Sequence, residues 1–253
     1  MIIEEMRRYF CEREKERQWA NPIRASNAGK CARAIAYQLH YPDKLTPLGW
    51  RARMTFRLGD LIEQDLKDAL KSYESKYFDL FLPRNGEPQE ECKLTIAGKE
   101  IIGHIDGRAV KKDDGTQWIV EFKSINDRGY QRVLKGDIGH SYECTACFYM
   151  KALDIPNELF IFYNKNTSAN VEVACHFEPK TWNEVDTRFT SVINSTPDYL
   201  PEREYQPDKK GKLPWNCCHL YCSAFHLCYP EAETKFDVET NEIITAISHG
   251  KES

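Results

Sequence analysis

The chain has 253 residues, 41% hydrophobic and 29% charged, with a formal net charge of -4. That composition is ordinary for a soluble globular domain with room for a small appendage. No apolar run approaches the ~20 residues of a bilayer-spanning helix, so no membrane partner is expected. The mixed charges of Met1 to Trp19 are unlike a secretory signal peptide, which gives the expectation of a cytoplasmic protein.

Residues 2 to 18 read as a charged helix with a partial apolar stripe at Ile2, Ile3, Met6, Tyr9 and Phe10, within an N-terminal segment of residues 1–25. Ser26 suits the N-cap of a second helix running through Cys31, Ile35 and Leu39 until Pro42 stops it. A longer helix is predicted from Leu48 to Ser72. Met54, Leu58, Leu61, Ile62, Leu66, Ala69 and Leu70 share one side at the helical period. Asp60, Gln64, Lys67, Asp68 and Lys71 fall opposite. Glu63 lies at the edge of the apolar stripe, and Asp65 nearer its middle competes for any inward role.

Strands are expected at about 89 to 96, 100 to 110 and 117 to 124, forming an antiparallel meander. The last two read as a hairpin, with Asp113-Asp114-Gly115 as its turn. Asp106 falls on the first of these strands. Glu121 and Lys123 stand two apart on the second, so both leave one face of the sheet. The hairpin can therefore bring two carboxylates and an ammonium to one point. Paired carboxylates hold a hard divalent cation such as Mg²⁺, and a lysine beside them can position an attacking water or steady charge on a phosphoryl group. The plain alternative is a same-face ion pair on a solvated sheet. Against it, Trp118-Ile119-Val120 and Phe122 imply burial on at least one face, where unpaired charge is costly.

A helix follows at about 140 to 153, strands at 159 to 163 and 171 to 177, and a helix at 180 to 193. The layout is α/β in the broad sense, an α+β mixed sheet flanked by helices. Basic clusters occur at Arg51, Arg53 and Arg57, at Arg128, Arg132 and Lys135, and at Lys209, Lys210 and Lys212. Each supports phosphate contacts only if the hairpin acts on nucleic acid.

The 10 cysteines are unevenly placed. Cys11, Cys92, Cys144, Cys147 and Cys175 are scattered and read as small core hydrophobes. Cys217, Cys218, Cys222 and Cys228 crowd together and read as a ligand set. Gathered thiolates bind zinc or an iron-sulfur cluster, and spacing alone does not choose. Adjacent side chains seldom reach one small ion together, so three ligands from this segment and one from elsewhere is the easier arrangement.

Gly103-His-Ile-Asp106-Gly, followed by Val120-Glu121-Phe122-Lys123-Ser, resembles the catalytic core of the PD-(D/E)XK nucleases, in particular the RecB-like branch. The resemblance implies a restriction-endonuclease-like core over residues 26–200. Gly59-Asp-Leu-Ile-Glu63 matches the acidic form of the branch's helix motif. It implies metal ligation by Glu63, Asp106, Glu121 and the carbonyl of Phe122, with Lys123 as the catalytic lysine. Where the family shows Gln-x-x-x-Tyr, this chain has Thr145 and Tyr149, so only an auxiliary role for Tyr149 carries over. Glu143 is a candidate substitute on a nearby face.

One group within that branch carries an iron-sulfur cluster held by one upstream and three C-terminal cysteines. It includes CRISPR-associated adaptation nucleases, the AddB subunit of bacterial helicase-nucleases and phage relatives. The resemblance implies a 4Fe-4S cluster on Cys31, Cys218, Cys222 and Cys228, with zinc as the alternative metal and Cys217 as an alternative to Cys218. Residues 201–228 would complete the site and close the N- and C-terminal parts around the core, leaving 229–253 as a flexible tail. The activity implied is Mg²⁺- or Mn²⁺-dependent exonucleolysis of single-stranded DNA or DNA ends, in recombination, repair, phage DNA metabolism or CRISPR adaptation alongside proteins of those pathways. The rival reading is a catalytically weak or inactive DNA-binding module docked on a larger complex. A zinc-stapled RNA-processing protein is a third.

Overall fold

Asp106 breaks what the sequence presents as one continuous strand. In the computed structural model, which describes residues 2–12, 21–47, 49–84, 86–214, 216–218, 221–237 and 242–247, the chain runs α1 (Ile2–Glu12), α2 (Ala32–His40), α3 (Trp50–Lys71), β1 (Phe78–Phe81), β2 (Glu90–Ile96), β3 (Lys99–Ile105), β4 (Gly107–Lys111) and β5 (Gln117–Ile125). It continues through α4 (Asp127–Val133), α5 (His140–Leu153), β6 (Asn157–Asn164), β7 (Asn170–His176), α6 (Pro179–Ile193), α7 (Phe225–Cys228), β8 (Ala232–Asp237) and β9 (Glu242–Ile247). Two compact units emerge. One comprises residues 23–29 and 54–190. The other joins 1–22, 30–53 and 191–253.

The first unit holds a five-stranded mixed sheet in the order β1-β4-β5-β6-β7. β4 and β5 are antiparallel, pairing Gly107 with Val120, and the hairpin turn closes through Lys111 and Thr116 with Gly115 at φ +73. β5 and β6 are parallel, setting Glu121 beside Phe160. The α5 helix makes this crossover, as a parallel pair requires. The three-strand meander is corrected accordingly: β3 pairs with β2 in a separate two-stranded sheet, and the chain enters the main sheet only after Asp106.

Each face of the main sheet has its own cover. Leu82, Ala109, Val120 and Phe122 form a buried cluster, with Leu66 of α3 packed on it. On the opposite face Tyr142 of α5 lies against Phe160 and Phe162, with ring centroids 6.1 and 5.9 Å away. Strand alternation thus sends Phe122 to one side and Glu121 and Lys123 to the other.

The apolar stripe of α3 is less buried than its periodicity predicts: Leu58, Leu61 and Leu70 are exposed. Lys67, expected on the outer face, is 2% exposed instead. Asp65 is exposed and Glu63 half-buried.

The second unit contains α1, α2 and α7. Part of the predicted first helix, residues 13–18, lies outside the described residues. Ser26 caps no α-helix. It sits inside a short 3-10 turn, Ala25–Asn27, in the first unit, and Cys31 occupies the N-cap position of α2. Leu213, Cys217, Phe225 and Tyr229 form a small core of the second unit. Within residues 229–253, expected as a flexible tail, β8 and β9 pair as an antiparallel hairpin, while residues 238–241 and 248–253 lie outside the described residues.

Candidate active site and cysteine cluster

Asp106, Glu121, Lys123 and Glu63 come together. Asp106 follows the last residue of β3, and its Oδ2 accepts a hydrogen bond from the backbone N–H of Phe122 at 2.9 Å. This bond ties the strand break to the neighbouring strand β5. Glu121 and Lys123 are hydrogen-bonded to each other, and Lys123 Nζ also donates to the Phe122 carbonyl at 3.2 Å. The carbonyl that resemblance assigns to metal ligation is here an acceptor for the lysine.

Two residues that sequence reading left out complete this arrangement. Lys67 Nζ lies 2.6 Å from Glu63 Oε1 and 3.9 Å from Asp106 Oδ1. Gln89 Nε2 donates to Asp106 Oδ1 at 2.7 Å and reaches Glu63 Oε1 at 3.4 Å. The i,i+4 spacing of Glu63 and Lys67 is a sequence signal for the first pairing. Nothing in the sequence around Gln89 announces the second.

Burial raises the pKa of the Glu121 carboxyl to about 8, helped by the Asp106 charge and opposed by Lys123. Glu63 is raised by burial and by Asp106, with Lys67 opposing. Burial favours neutral Lys123, but the charges of Glu121 and Asp106 outweigh it and the net shift is upward. Three carboxylates thus face two ammonium groups, and Glu121 Oε2 is buried without a hydrogen-bond partner. Clustered carboxyl oxygens fit a hard divalent cation, whose charge would favour the ionised form of Glu121. Among the described residues, no three His, Cys, Asp or Glu side chains already stand as a metal-binding group.

Tyr149 is 4% exposed, and its ring is close to Gly103: a Cβ at that glycine would lie 2.7 Å from Tyr149 Cε1 and 2.6 Å from Ala25 Cβ. Its phenol is held well above its ordinary pKa by burial and then by the charges of Glu121 and Asp106, so it stands neutral near the carboxylates. Thr145 Oγ1 turns back to the Ser141 carbonyl at 3.1 Å, and Glu143 lies 3.3 Å from His140. Glu158, a further carboxylate missed from sequence, is fully buried beside Ile119 on the Glu121 face, and neither of its oxygens has a hydrogen-bond partner. Burial and the Glu121 charge hold it well above the usual carboxylate range. Its period-two placement with Phe160 and Phe162 is the sequence signal for an inward carboxylate.

In the second unit Cys31, Cys217, Cys218, Cys222 and Cys228 share one neighbourhood and form no disulfide. Burial, followed by the other thiols, pushes Cys217 up to about 12. Burial likewise pushes Cys222 up to about 11, with Cys31, Cys228 and Cys218 adding to it. The Arg33 and Arg203 guanidinium groups hydrogen-bond Cys228 and oppose the upward shift that its burial causes. This donor set has the chemistry of a thiolate-ligated metal or cluster. Cys217, named only as an alternative ligand from the sequence, is as much part of the group as Cys218.

No protein-family profile matches the chain, and no curated protein matches it. Among solved structures, the chain is similar to SSO0001, with 17% identity, TM-score 0.48, and coverage of 78% of this chain and 88% of that one. It is also similar to the alkaline exonuclease LHK-Exo from Laribacter hongkongensis, with 15% identity, TM-score 0.41, and coverage of 67% and 88%. The complex of LHK-Exo with dAMP gives 13% identity, TM-score 0.41, and coverage of 68% and 89%.

Proposed function

We propose that the chain is a divalent-cation-dependent deoxyribonuclease. The observation that carries this reading is the convergence of Glu63, Asp106 and Glu121 with Lys123 at the break between β3 and β4 and the adjoining part of β5. A bound Mg²⁺ or Mn²⁺ would activate water and neutralise charge on a phosphoryl oxygen. Glu63, Asp106, Glu121 and the Phe122 carbonyl are the groups that would hold it. Lys123, kept protonated by its carboxylate neighbours, serves as a fixed positive charge against the scissile phosphate. Neutral Tyr149 is a hydrogen-bond donor of the same region and the auxiliary group of the proposal.

The finer assignments belong to the same proposal. The substrate is single-stranded DNA or a DNA end, attacked exonucleolytically, and the partners are recombination or CRISPR adaptation proteins. Cys31, Cys222 and Cys228, with Cys217 or Cys218, hold a 4Fe-4S cluster, with zinc as the alternative. Its role is structural, because linking Cys31 to the C-terminal cysteines closes a long loop and restricts the unfolded chain.

Labelled single-stranded and duplex DNA incubated with Mg²⁺, Mn²⁺ or EDTA tests the reading, using anaerobically prepared wild type beside Lys123→Ala. Cleavage lost both with EDTA and in the variant, while DNA binding survives, is the expected result. Cleavage unaffected by Lys123→Ala would overturn the role of this site. A second reading, a DNA-binding module without activity, is favoured by Thr145, whose hydroxyl bonds its own helix and presents no amide outward. It is the reading left if wild type with a full complement of iron binds DNA and cuts none.

A further inference from the structure

In the second unit, a cleft of about 470 Å³ opens between α2, the Pro42–Lys44 turn and the segment around Tyr199. We propose that it is a subsite for an unpaired nucleotide of single-stranded DNA, and this rests on the nucleic-acid substrate proposed above. The volume is in the range of small-molecule pockets. Its character is aromatic and cationic. Tyr37 and Tyr41 form a fixed wall: their ring centroids are 6.0 Å apart, Tyr37 donates its hydroxyl proton to the Leu227 carbonyl at 3.1 Å, and Tyr41 donates to the Pro197 carbonyl at 3.0 Å.

Tyr199 stands at the mouth and is 81% exposed, yet its backbone is held by reciprocal bonds with Thr196 at 3.1 and 3.2 Å. A large ring offered to solvent from a fixed turn gains little from the fold and has a face ready for a base. Lys44 Nζ lies 4.9 Å from the centre of the Tyr41 ring, where its charge can meet a phosphate. An exposed ring beside an ammonium is the kind of pairing with which proteins hold single strands, a base stacking on the aromatic face while a cation meets the backbone. Arg33 also lines the cleft but is engaged with the Pro201 carbonyl at 2.7 Å, which leaves Lys44 as the phosphate contact. Asp198 on the rim disfavours a dense run of phosphates and fits a single nucleotide step better than a duplex.

The test is fluorescence anisotropy of a labelled oligothymidylate with the full chain in EDTA, so that no cleavage intervenes. Tyr199→Ala should weaken binding about tenfold and Tyr199→Phe should retain it, since stacking needs the ring and not the hydroxyl. Lys44→Glu should weaken binding and flatten its salt dependence. Competition by free thymidine monophosphate separates the sources. Displacement only at large excess supports a strand subsite, whereas equal affinity for mononucleotide and strand replaces it with a free-nucleotide site and overturns the proposal. Wild-type affinity in both Tyr199→Ala and Lys44→Glu would also overturn it. These variants leave Glu63, Asp106, Glu121 and Lys123 intact. Unchanged binding with normal cleavage therefore sinks the cleft alone, while weakened binding in a chain that never cuts DNA sinks only the nuclease reading.

Discussion

Lys67 Nζ and Asp106 Oδ1 lie 3.9 Å apart with both side chains almost wholly buried, 3% and 8% exposed, and the same ammonium lies 2.6 Å from Glu63. A lysine on a helix that reads as surface thus supplies the counter-charge for two carboxylates of the candidate active site. Lys67→Met should be strongly destabilising, because removing one partner leaves the other charges buried; about 3–5 kcal/mol is expected. Urea unfolding at neutral pH in EDTA measures this, and added Mn²⁺ should recover part of the loss. A variant as stable as wild type would mean that Glu63 and Asp106 do not need this cation.

Glu121 makes the stability of the cation-free protein depend on pH. Its pKa is raised in the fold to about 8, first by burial and then by Asp106, against an ordinary value of about 4.3. A raised folded-state pKa contributes stability that is fully present below the unfolded value and is lost as pH rises through the folded one. The Tm in EDTA should therefore fall between about pH 5 and pH 8 more steeply for wild type than for Glu121→Gln. Parallel profiles would refute the assignment.

Gly103 should not tolerate a side chain. A Cβ there would meet Ala25, Tyr149 and the Cys92 sulfur at 2.6, 2.7 and 3.0 Å, so Gly103→Ala forces buried neighbours apart. Overpacking of this kind costs about 1–3 kcal/mol. Chemical denaturation should show it as a lower midpoint. Cleavage by the surviving folded fraction should also fall, because the Tyr149 ring must shift.

Iron analysis of serine variants examines the thiol group. Cys31→Ser, Cys222→Ser and Cys228→Ser should each lose iron and the associated visible absorbance. Cys217→Ser and Cys218→Ser should differ, because adjacent side chains seldom reach one site together. Iron retained in all five variants would remove the cluster from the proposal, and stoichiometric zinc in its place would select the alternative metal.

The hairpin turn at Asp113-Asp114-Gly115 and the shared face of Glu121 and Lys123 follow from local rules, turn chemistry and strand alternation, and both are in the structure. The break at Asp106 was not legible, because Ile101 to Val110 alternates like one strand. Only pairing with two different partners, β2 and then β5, divides it. Lys67 departs from its predicted outer face for a related reason. Helical periodicity ranks residues by hydrophobicity, whereas Lys67 is buried against Glu63 of its own helix and Asp106, which another element brings to it.

Local rules fix the long helices, the β4–β5 hairpin and the acidic and thiol residue sets, because backbone propensity and side-chain chemistry are local properties. The tertiary structure decided which of those residues meet. Gln89 and Glu158 join the carboxylates, Lys67 reaches Asp106, and Cys31 joins the C-terminal thiols, only because segments distant in the chain are packed together. Burial then sets the charge states at that point, since desolvation depends on everything around a group and not on its neighbours in sequence.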